Sequence, residues 1–259
     1  MCTLPERTLT LDIGNSSVKC ALWKESRIVS RPTLKELEKQ GHKSFVCGVS
    51  QVGKLSSEDE KSLKEVLSLT ALTFHVGDYF QQKSFLEMPV HYALTLGQDR
   101  LIAAYEIFCE SHSSHHSQSR SLIIDAGSFI TWDFVSKKGF EGGHIFPSQK
   151  KWQEAYASGA LLKEHLNCEN LSLGGEGLSG LPQRSDEAMM LSYPLALVGL
   201  FEQLICQYHP SRVFLTGGGA SKLYDLLTSQ SQQRLPMEIR KDLIHEGLYR
   251  VIQELQREA

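Results

Sequence analysis

The sequence predicts an α/β protein built from two similar halves, and three observations lead to that prediction. The chain has 259 residues, of which 41% are hydrophobic, enough for a sizeable core. Short β-prone runs alternate with stretches of helical composition. The opening pattern of a strand, an Asp-x-Gly turn and a second strand recurs at 121–135. This recurrence favours two homologous halves whose turns lie at one edge of each sheet.

Charge and cysteine usage exclude several classes of protein. Lys and Arg number 27 against 30 Asp and Glu, so the chain lacks the basic excess typical of nucleic-acid binding. The 6 cysteines include no C-x-x-C pair, which excludes a zinc knuckle or a disulfide framework. The start, 1–7, is polar and charged, and the longest uncharged apolar stretch, 188–201, is shorter than a bilayer span. We therefore expect a cytoplasmic protein with no nucleic-acid partner and no membrane contact.

In the first half, two strands flank a tight polar turn at Gly14. The later elements alternate strand and helix, and the Ser- and His-rich stretch 111–120 that follows has no periodicity, so we interpret it as a linker. The predicted domains are therefore 1–117 and 118–259. The predicted elements of the first half are strands at 8–13, 18–23, 27–30, 44–49 and 72–76 and helices at 33–40, 56–67 and 101–109.

The second half repeats the opening hairpin and continues with longer helices. The stretch 167–184 is rich in Gly and Ser and is predicted as a loop, and Pro194 is expected to kink the helix that follows it. The predicted elements are strands at 121–125, 130–135 and 212–216 and helices at 149–166, 185–209, 220–228 and 241–256.

Two Asp-x-Gly turns carry the first chemical signal. In the turn that begins at Asp12, Gly14 lets backbone approach an anion, and Asn15 and Ser16 can donate hydrogen bonds to phosphate oxygens. Asp12 would meet phosphates only through a cation such as Mg²⁺. The turn at Asp125 follows the same logic. An ordinary hairpin turn explains either one alone, but their occurrence at the start of both halves favours phosphate binding.

Two further motifs lie at strand–helix junctions. Gly217–Gly219 have no side chains, so a nucleotide could lie against their backbone. The alternative interpretation of these glycines is a flexible loop between strand and helix. Asp99, in Gly97-Gln98-Asp99-Arg100, is either a helix cap or a general base that takes a proton from an attacking hydroxyl. Arg100 could hold an anionic group of the substrate with its planar guanidinium. No G-x-x-x-x-G-K-[ST] or G-x-G-x-x-G motif indicates another nucleotide fold.

Taken in order, these motifs resemble type III pantothenate kinase, a family of the superfamily of acetate and sugar kinases, actin and heat-shock ATPases. The resemblance covers about 8–248 and implies two ribonuclease-H-like, actin-like ATPase halves with a nucleotide cleft between them. The motifs are Asp12–Asn15, Leu96–Arg100, Ile124–Ser128, Glu141–Ile145 and Thr216–Ala220.

The resemblance also implies roles for individual residues. Asp99 matches the catalytic base and Asp125 the ligand of an activating monovalent cation, K⁺ or NH₄⁺. Ser128 and Ser185 stand where the family commonly has Thr and keep the hydroxyl, whereas Phe129 replaces a small residue beside the second turn. The implied ATP-binding residues are Asp12, Ile13, Gly14, Asn15, Ser16, Ser17, Val18, Lys19 and Ser128. The implied substrate-binding residues are Tyr92, Gly97, Gln98, Asp99, Arg100 and Ser185.

The implied activity is ATP-dependent phosphorylation of pantothenate to 4′-phosphopantothenate, the first step of coenzyme A biosynthesis. Mg²⁺ would accompany ATP, and the family is commonly homodimeric. Two alternatives stay open. One is a non-enzymatic regulator that keeps the fold, and the other is a kinase of the superfamily that acts on another small acceptor. The retained Asp12, Asp99, Arg100 and Asp125 favour an enzyme.

Overall fold

The computed structural model describes residues 7–15, 17–39, 45–81, 83–113, 119–157 and 181–258. The chain forms two compact units. The first unit comprises Met1–His116, Val135–Gly142 and Asp242–Ala259, and the second comprises Ser117–Phe134 and Gly143–Lys241.

The elements up to residue 113 belong to the first unit. Its five-stranded sheet has the order β3-β2-β1-β4-β5, with β1 antiparallel to β2 and parallel to β4. In chain order the elements are β1 Thr8–Ile13, β2 Val18–Lys24, β3 Arg27–Ser30, α1 Leu34–Lys39, β4 Phe45–Gln51, α2 Ser57–Ser68, β5 Thr70–His75, α3 Val76–Tyr79, β6 Phe80–Gln81, β7 Ser84–Phe85, β8 Met88–Pro89 and α4 Gln98–Ser113.

The remaining elements form the second unit and the C-terminal helix. The second sheet has the order β11-β10-β9-β12-β13, which repeats the order of the first sheet strand for strand. In chain order the elements are β9 Ser121–Ala126, β10 Phe129–Ser136, β11 Gly139–Pro147, α5 Gln149–Ala157, α6 Ser185–Tyr208, β12 Arg212–Thr216, α7 Ala220–Gln230, β13 Met237–Ile239 and α8 Leu243–Glu258.

The central strand of each sheet carries the aspartate of an Asp-x-Gly turn at the same place. Asp12 is the fifth of six residues in β1, and Asp125 is the fifth of six in β9. Asp12 pairs in register with Ser50 of β4, and Asp125 pairs with Thr216 of β12. Both hydroxyl residues are buried. The predicted α/β fold with two similar halves is therefore confirmed.

Alternation along β1 determines which helices cover each face of the first sheet. Leu9 and Leu11 pack with α1 and α2 on one face. Thr10 and Asp12 point to the other face, because successive side chains of a strand alternate. There, Ile252 of α8 lies so close to Gly48 of β4 that a Cβ on Gly48 would come within 2.9 Å of it.

The units differ from the predicted domains 1–117 and 118–259 in two segments. The tip of the β10–β11 hairpin, Val135–Gly142, and the last helix, α8, belong to the first unit. The apolar face of α8 packs on β1 and β4, a contact between distant parts of the chain that no local pattern records.

Several element boundaries also differ from prediction. α4 begins at Gln98, within the Gly97–Arg100 motif, because Gly97 already accepts a hydrogen bond from the Leu101 N–H. It runs to Ser113, so the start of the predicted linker is helical. The elements that were not predicted are α3, β6, β7, β8, β11 and β13. Of these, β6, β7 and β8 have two residues each and therefore carry no alternation. The predictions for Ser16, 114–118 and 158–180 lie outside the described residues.

Helix α6 is long and apolar enough to cross a membrane by length and composition alone, and is the one such helix in the described chain. The core helix of a compact unit meets the same criterion. Tyr193, Leu197 and Phe201 of α6 are buried in the core of the second unit, which supports that interpretation. Pro194 lies inside the helix without ending it.

Candidate active site

Asp12 stands at the carboxyl end of the central strand of the first unit. The residue is 4% exposed, and its Oδ1 atom has no hydrogen-bond partner among the described residues. Lys19, its neighbour across the β1–β2 pair, places Nζ 3.7 Å from Oδ2. The Ser50 hydroxyl is buried and likewise has no hydrogen-bond partner in the part of the chain that the structure describes. Two unpartnered polar atoms on neighbouring strands indicate a place for a further group, since buried polar atoms are normally paired.

Burial raises the pKa values of both Asp12 and Asp99, and Asp99 contributes to the shift of Asp12. Burial raises the pKa of Asp12 from 3.8 to about 6; the charge of Lys19 lowers it, and the carboxylate of Asp99 raises it further. Burial also raises the pKa of Asp99, against a hydrogen bond from the Arg100 N–H that lowers it. Two carboxyl groups with raised pKa values in one place are typical of functional sites, because folding alone gives no reason to retain them.

The glycine of the first turn closes the hairpin. The Gly14 N–H donates to the Ser17 carbonyl at 3.1 Å, so it is engaged within the turn. Asn15, Ser17 and Lys19 are exposed and can face a ligand. Gly53, just after β4, lies against this turn so closely that any Cβ would collide with the Gly14 carbonyl. The turn is therefore supported from the neighbouring strand.

The Gly97–Arg100 motif places Asp99 in the first turn of α4. The Arg100 N–H donates to Asp99 Oδ1 at 2.8 Å. A Cβ on Gly97 would lie 2.6 Å from the same oxygen, so only glycine leaves room for this carboxylate. Gln98 accepts a hydrogen bond from the Gln51 N–H at 2.9 Å, which ties α4 to the end of β4. The motif thus positions Asp99 and anchors its helix.

Arg100 lies between two aromatic rings. Its side chain is buried, and its guanidinium carbon lies 5.4 Å from the Tyr92 ring centroid and 5.8 Å from that of Phe140. The structure therefore brings the predicted substrate residues Tyr92 and Arg100 together and adds Phe140. An arginine held in this way is suited to a planar anion such as a carboxylate.

The second unit assembles the other Asp-x-Gly turn with the triple-glycine loop. Gly217 has a φ of +85°, and a Cβ there would collide with Asp125 Oδ1. The Gly219 N–H donates to the Ala126 carbonyl at 2.9 Å. The absence of a side chain at Gly217 thus allows the backbone of this loop to lie directly against the Asp125 carboxylate. Ser128, which is partly buried, lies in the same turn.

Ser185 also belongs to the second unit, where it is exposed as the first residue of α6. The N-cap position is held by Arg184, whose side chain pairs with Asp186 instead of capping the helix. The Ser185 hydroxyl therefore has no capping role to fulfil.

Four residues of these sites were not singled out in the sequence. Ser50 and Gly53 lie at the end of β4. The sequence could have identified them, because the ends of parallel strands lie side by side and β4 is the parallel neighbour of the strand that carries Asp12. Asp133 is buried beside Gly143, whose Cβ would collide with it, and it accepts a hydrogen bond from Thr131 at 3.1 Å. Phe140 carries no local signal, because its partners are distant in sequence.

The residues around Asp12 fit a divalent metal that is held jointly with nucleotide phosphates. Among the described residues, no group of three or more His, Cys, Asp or Glu side chains could hold a metal by itself. Mg²⁺ is commonly bound by one or two carboxylates together with substrate phosphates, and the unpartnered oxygen of Asp12 matches that pattern.

The repeated sheet order and the Asp-x-Gly turns define the class: a nucleotide-binding α/β protein with two similar units. A solved structure from Campylobacter jejuni, described as a Baf family transcriptional activator, superposes with a TM-score of 0.58 at 19% identity, covering 96% of this chain and 99% of that one. The chain belongs to the type III pantothenate kinase family, whose family model matches residues 8–205.

Individual relatives agree with this assignment. The type III pantothenate kinase of Campylobacter hominis is 27% identical over 208 residues, covering 80% of this chain and 82% of the relative. That of Hahella chejuensis is 28% identical over 236 residues, covering 84% and 88%. A structure from Sinorhizobium meliloti, described as a 2-dehydro-3-deoxygalactonokinase, shares the fold with a TM-score of 0.54 at 13% identity, covering 96% and 99%. The resemblance inferred from the motifs is confirmed, and the chain is a kinase for which ATP with a divalent metal is expected.

Proposed function

We propose that the protein transfers the γ-phosphoryl group of ATP to the primary hydroxyl of pantothenate, giving 4′-phosphopantothenate for coenzyme A biosynthesis. The observation that carries the proposal is the juxtaposition, within one unit, of Asp12, Asp99 and Arg100. Asp12 and Asp99 interact electrostatically, and Arg100 follows Asp99 in the same helical turn. The first unit thereby groups three functions: Asp12 as a carboxylate near the phosphates, Asp99 as a base and Arg100 as a cation that binds an anion.

Asp99 is the proposed general base. Its raised pKa makes it a stronger proton acceptor than a solvated aspartate. The orientation of its carboxylate is fixed by the hydrogen bond from the Arg100 N–H and is possible only because Gly97 has no side chain. It would take the proton of the substrate hydroxyl as that oxygen attacks the γ-phosphorus in line. Arg100, with Tyr92 beside it, would bind the carboxylate at the other end of pantothenate.

The first turn is the proposed phosphate site. Asn15, Ser17 and Lys19 are exposed there and would contact the phosphate oxygens of ATP. A Mg²⁺ ion held by Asp12 and the nucleotide would neutralise charge that develops on the transferred group. The remaining predicted ATP contacts, Ile13, Gly14, Ser16, Val18 and Ser128, belong to the same proposal.

Asp125 is the proposed ligand of a monovalent cation, K⁺ or NH₄⁺. The observation that supports it is the place of its carboxylate at the end of β9, against the glycine backbone that follows β12. Gly97, Gln98 and Ser185 complete the proposed substrate residues. We further propose a cytoplasmic homodimer; the apolar side chain of Leu195, 68% exposed on α6, supports an interface there.

The test is an assay of ADP release with purified protein, Mg·ATP and pantothenate, run in potassium and in sodium buffer, with the phosphorylated product identified by mass. We expect pantothenate-dependent turnover that rises with potassium. Asp99→Asn removes the base and should lower kcat about 10²- to 10⁴-fold with the circular dichroism spectrum unchanged. Near-normal turnover of this variant would exclude Asp99 as the base.

Other outcomes separate the alternatives. Turnover that does not depend on the cation would support the kinase activity but exclude Asp125 as the ligand of an activating cation. Turnover with a sugar acid or acetate in place of pantothenate would identify another acceptor. Folded protein that binds ATP but phosphorylates none of these acceptors would favour a regulator of the same fold.

A further inference from the structure

The tip of the β10–β11 hairpin is fastened to the segment that precedes the Gly97–Arg100 motif. Val90 and Phe140 form a parallel β-bridge, and the His91 N–H donates to the Phe140 carbonyl at 2.9 Å. The His91 Nε2 atom lies 3.1 Å from the Lys138 carbonyl oxygen. These contacts lie within the first unit, to which the hairpin tip belongs.

Gly139 makes this close approach possible. Its φ is +104°, a conformation that side chains other than glycine rarely adopt, and a Cβ there would collide with the carbonyl of Pro89. The backbone of the hairpin tip therefore lies directly against Pro89. This contact determines where the next residue, Phe140, can place its ring.

The Phe140 ring completes an aromatic corner around Arg100. It is fully buried, and it meets the Tyr92 ring edge-on at 5.7 Å between centroids and 81° between planes. The Arg100 guanidinium carbon lies within 6 Å of both ring centroids, and the residue as a whole is 7% exposed. Aromatic faces attract a cation, and the attraction strengthens when water is excluded.

We propose that Phe140 is a positioning residue for the acceptor: its ring fixes the Arg100 guanidinium and, with Tyr92, presents that cation to the carboxylate of the acceptor. The proposal rests on the proposed function, because it needs an anionic acceptor that binds Arg100. An unrestrained arginine loses side-chain entropy on binding, whereas one already held by two rings loses less. Phe140 thereby favours an acceptor with a carboxylate over a neutral one.

The test compares Phe140→Leu with two other variants. Phe140→Tyr keeps an aromatic face, and Phe45→Leu makes the same change at a buried Phe that packs with α1 and α2 in the same unit. Phe140→Leu should raise KM for pantothenate about tenfold. The KM for ATP and kcat should change less than about threefold. Phe140→Tyr should stay within about threefold of the wild type, and Phe45→Leu should leave the KM for pantothenate unchanged.

The preference of the enzyme between two acceptors provides a second measurement, which a loss of packing alone would not change. The wild type should prefer pantothenate to its analogue with a primary alcohol in place of the carboxylate. Phe140→Leu should reduce this preference by the same factor of about ten. An unchanged preference in Phe140→Leu, or an equal change in Phe45→Leu, would overturn the proposal.

A spectroscopic measurement separates this proposal from the proposed function. The Arg100 Nε–H resonance, assigned by its loss in Arg100→Lys, should be shifted upfield by the rings and should move toward the free-arginine position in Phe140→Leu. If the wild type does not phosphorylate pantothenate, the proposed function fails, and this resonance still decides whether Phe140 positions Arg100. An Arg100 resonance at the free-arginine position in the wild type would overturn the proposal.

Discussion

Burial changes the acid–base behaviour of individual side chains in the first unit, and it does so in opposite directions. Asp12, 4% exposed, has its pKa raised to about 6, whereas His245, 5% exposed, has its pKa lowered to about 4. In both cases the low-dielectric surroundings disfavour the charged form. For His245 a hydrogen-bond partner is present, because its Nδ1 lies 2.9 Å from Thr10 Oγ1. Asp12 Oδ1 has no partner among the described residues, which marks it as a residue kept for binding and not for stability.

We predict that Asp12→Asn stabilises the protein in the absence of nucleotide and divalent metal. The folded-state pKa lies above the unfolded one, so ionisation of Asp12 costs stability as pH rises from about 4 to about 6. The full effect at pH 7.5 is about 3 kcal/mol. The free energy of unfolding from urea titrations should be higher for the variant at pH 7.5, and the difference should vanish near pH 4.

The matched control for this prediction is Asp78→Asn, at an exposed aspartate of the same unit. It should produce no comparable gain at pH 7.5. The prediction is contradicted if Asp12→Asn and wild type lose stability in parallel across this pH range. Kinase activity of Asp12→Asn should fall at the same time, because the proposed metal would lose its carboxylate.

At the scale of elements, the two turns are held by their neighbouring segments more than by their own sequence. Gly53 supports the first turn from the end of β4, and Gly217 and Gly219 support the second from the end of β12. In each sheet the supporting segment follows the strand that runs parallel to the central one. This arrangement explains why the glycine-rich motifs follow strands, since backbones must approach closely where parallel strands end side by side.

The triple-glycine loop offers an internal comparison between neighbouring residues. Gly217→Ala places a Cβ at a φ of +85° and against Asp125, whereas a Cβ on Gly218 meets nothing within 4 Å. Gly217→Ala should lower the free energy of unfolding by about 2 kcal/mol or more. Gly218→Ala should change it by about 0.5 kcal/mol or less.

Both glycine variants should be measured by thermal and urea unfolding, with potassium activation as a second readout. Gly217→Ala should also weaken any activation by potassium, because the added methyl group would displace the Asp125 carboxylate. Equal stabilities of the two variants would show that Gly217 does not lie against Asp125 as described.

At the scale of the whole molecule, the two ends of the described chain form one structural unit. Helix α8, the last element, is tied to the opening hairpin by the stacked rings of Trp23 and Tyr249, whose centroids are 4.4 Å apart. It is tied to α4 by a double hydrogen bond from Arg250 to Glu106, at 2.6 and 2.7 Å. Because the first turn of α4 carries Asp99, helix α8 supports the helix on which the proposed catalytic base lies.

The buried contact of α8 with β1 predicts an acid sensitivity. The Trp23 indole N–H donates to Thr10 Oγ1 at 2.9 Å, and the same hydroxyl lies 2.9 Å from His245 Nδ1 and 3.4 Å from the Ala21 carbonyl oxygen. The pKa of His245 is about 4 when folded and about 6.5 when unfolded, so its contribution is lost as pH falls from about 6.5 to about 4. The loss amounts to about 3 kcal/mol.

His245→Gln should be less stable than the wild type at pH 7.5, and the difference between them should shrink toward pH 4. The informative quantity is the difference in the free energy of unfolding between variant and wild type. The pH dependence of the wild type alone is not sufficient, because the ionisation of Asp12 changes stability in the opposite direction over an overlapping pH range. His75→Gln, at an exposed histidine of the same unit, should follow the wild type at every pH. A constant difference between His245→Gln and wild type would contradict this assignment.

The sequence alone determined the features that depend on local order. Short apolar, β-prone runs that end at polar turns predicted the central strands β1 and β9, because a strand that is buried on both faces is a short apolar run bounded by turn residues. The two Asp-x-Gly turns predicted the repeat, and the order of the five motifs predicted the family. Both predictions were possible because each motif is a short contiguous stretch of sequence. The Gly97–Arg100 motif likewise placed Asp99 and Arg100 at the start of a helix.

Only the tertiary structure decided the features that join distant segments. It placed α8 and the tip of the β10–β11 hairpin in the first unit, brought Phe140 to Arg100 and set Ser50 beside Asp12. Each of these contacts depends on strand order and on close backbone approach at a glycine such as Gly48 or Gly139. The physical reason is that burial and the pKa shifts it produces are properties of the packed surroundings, which residues far apart in the chain create together.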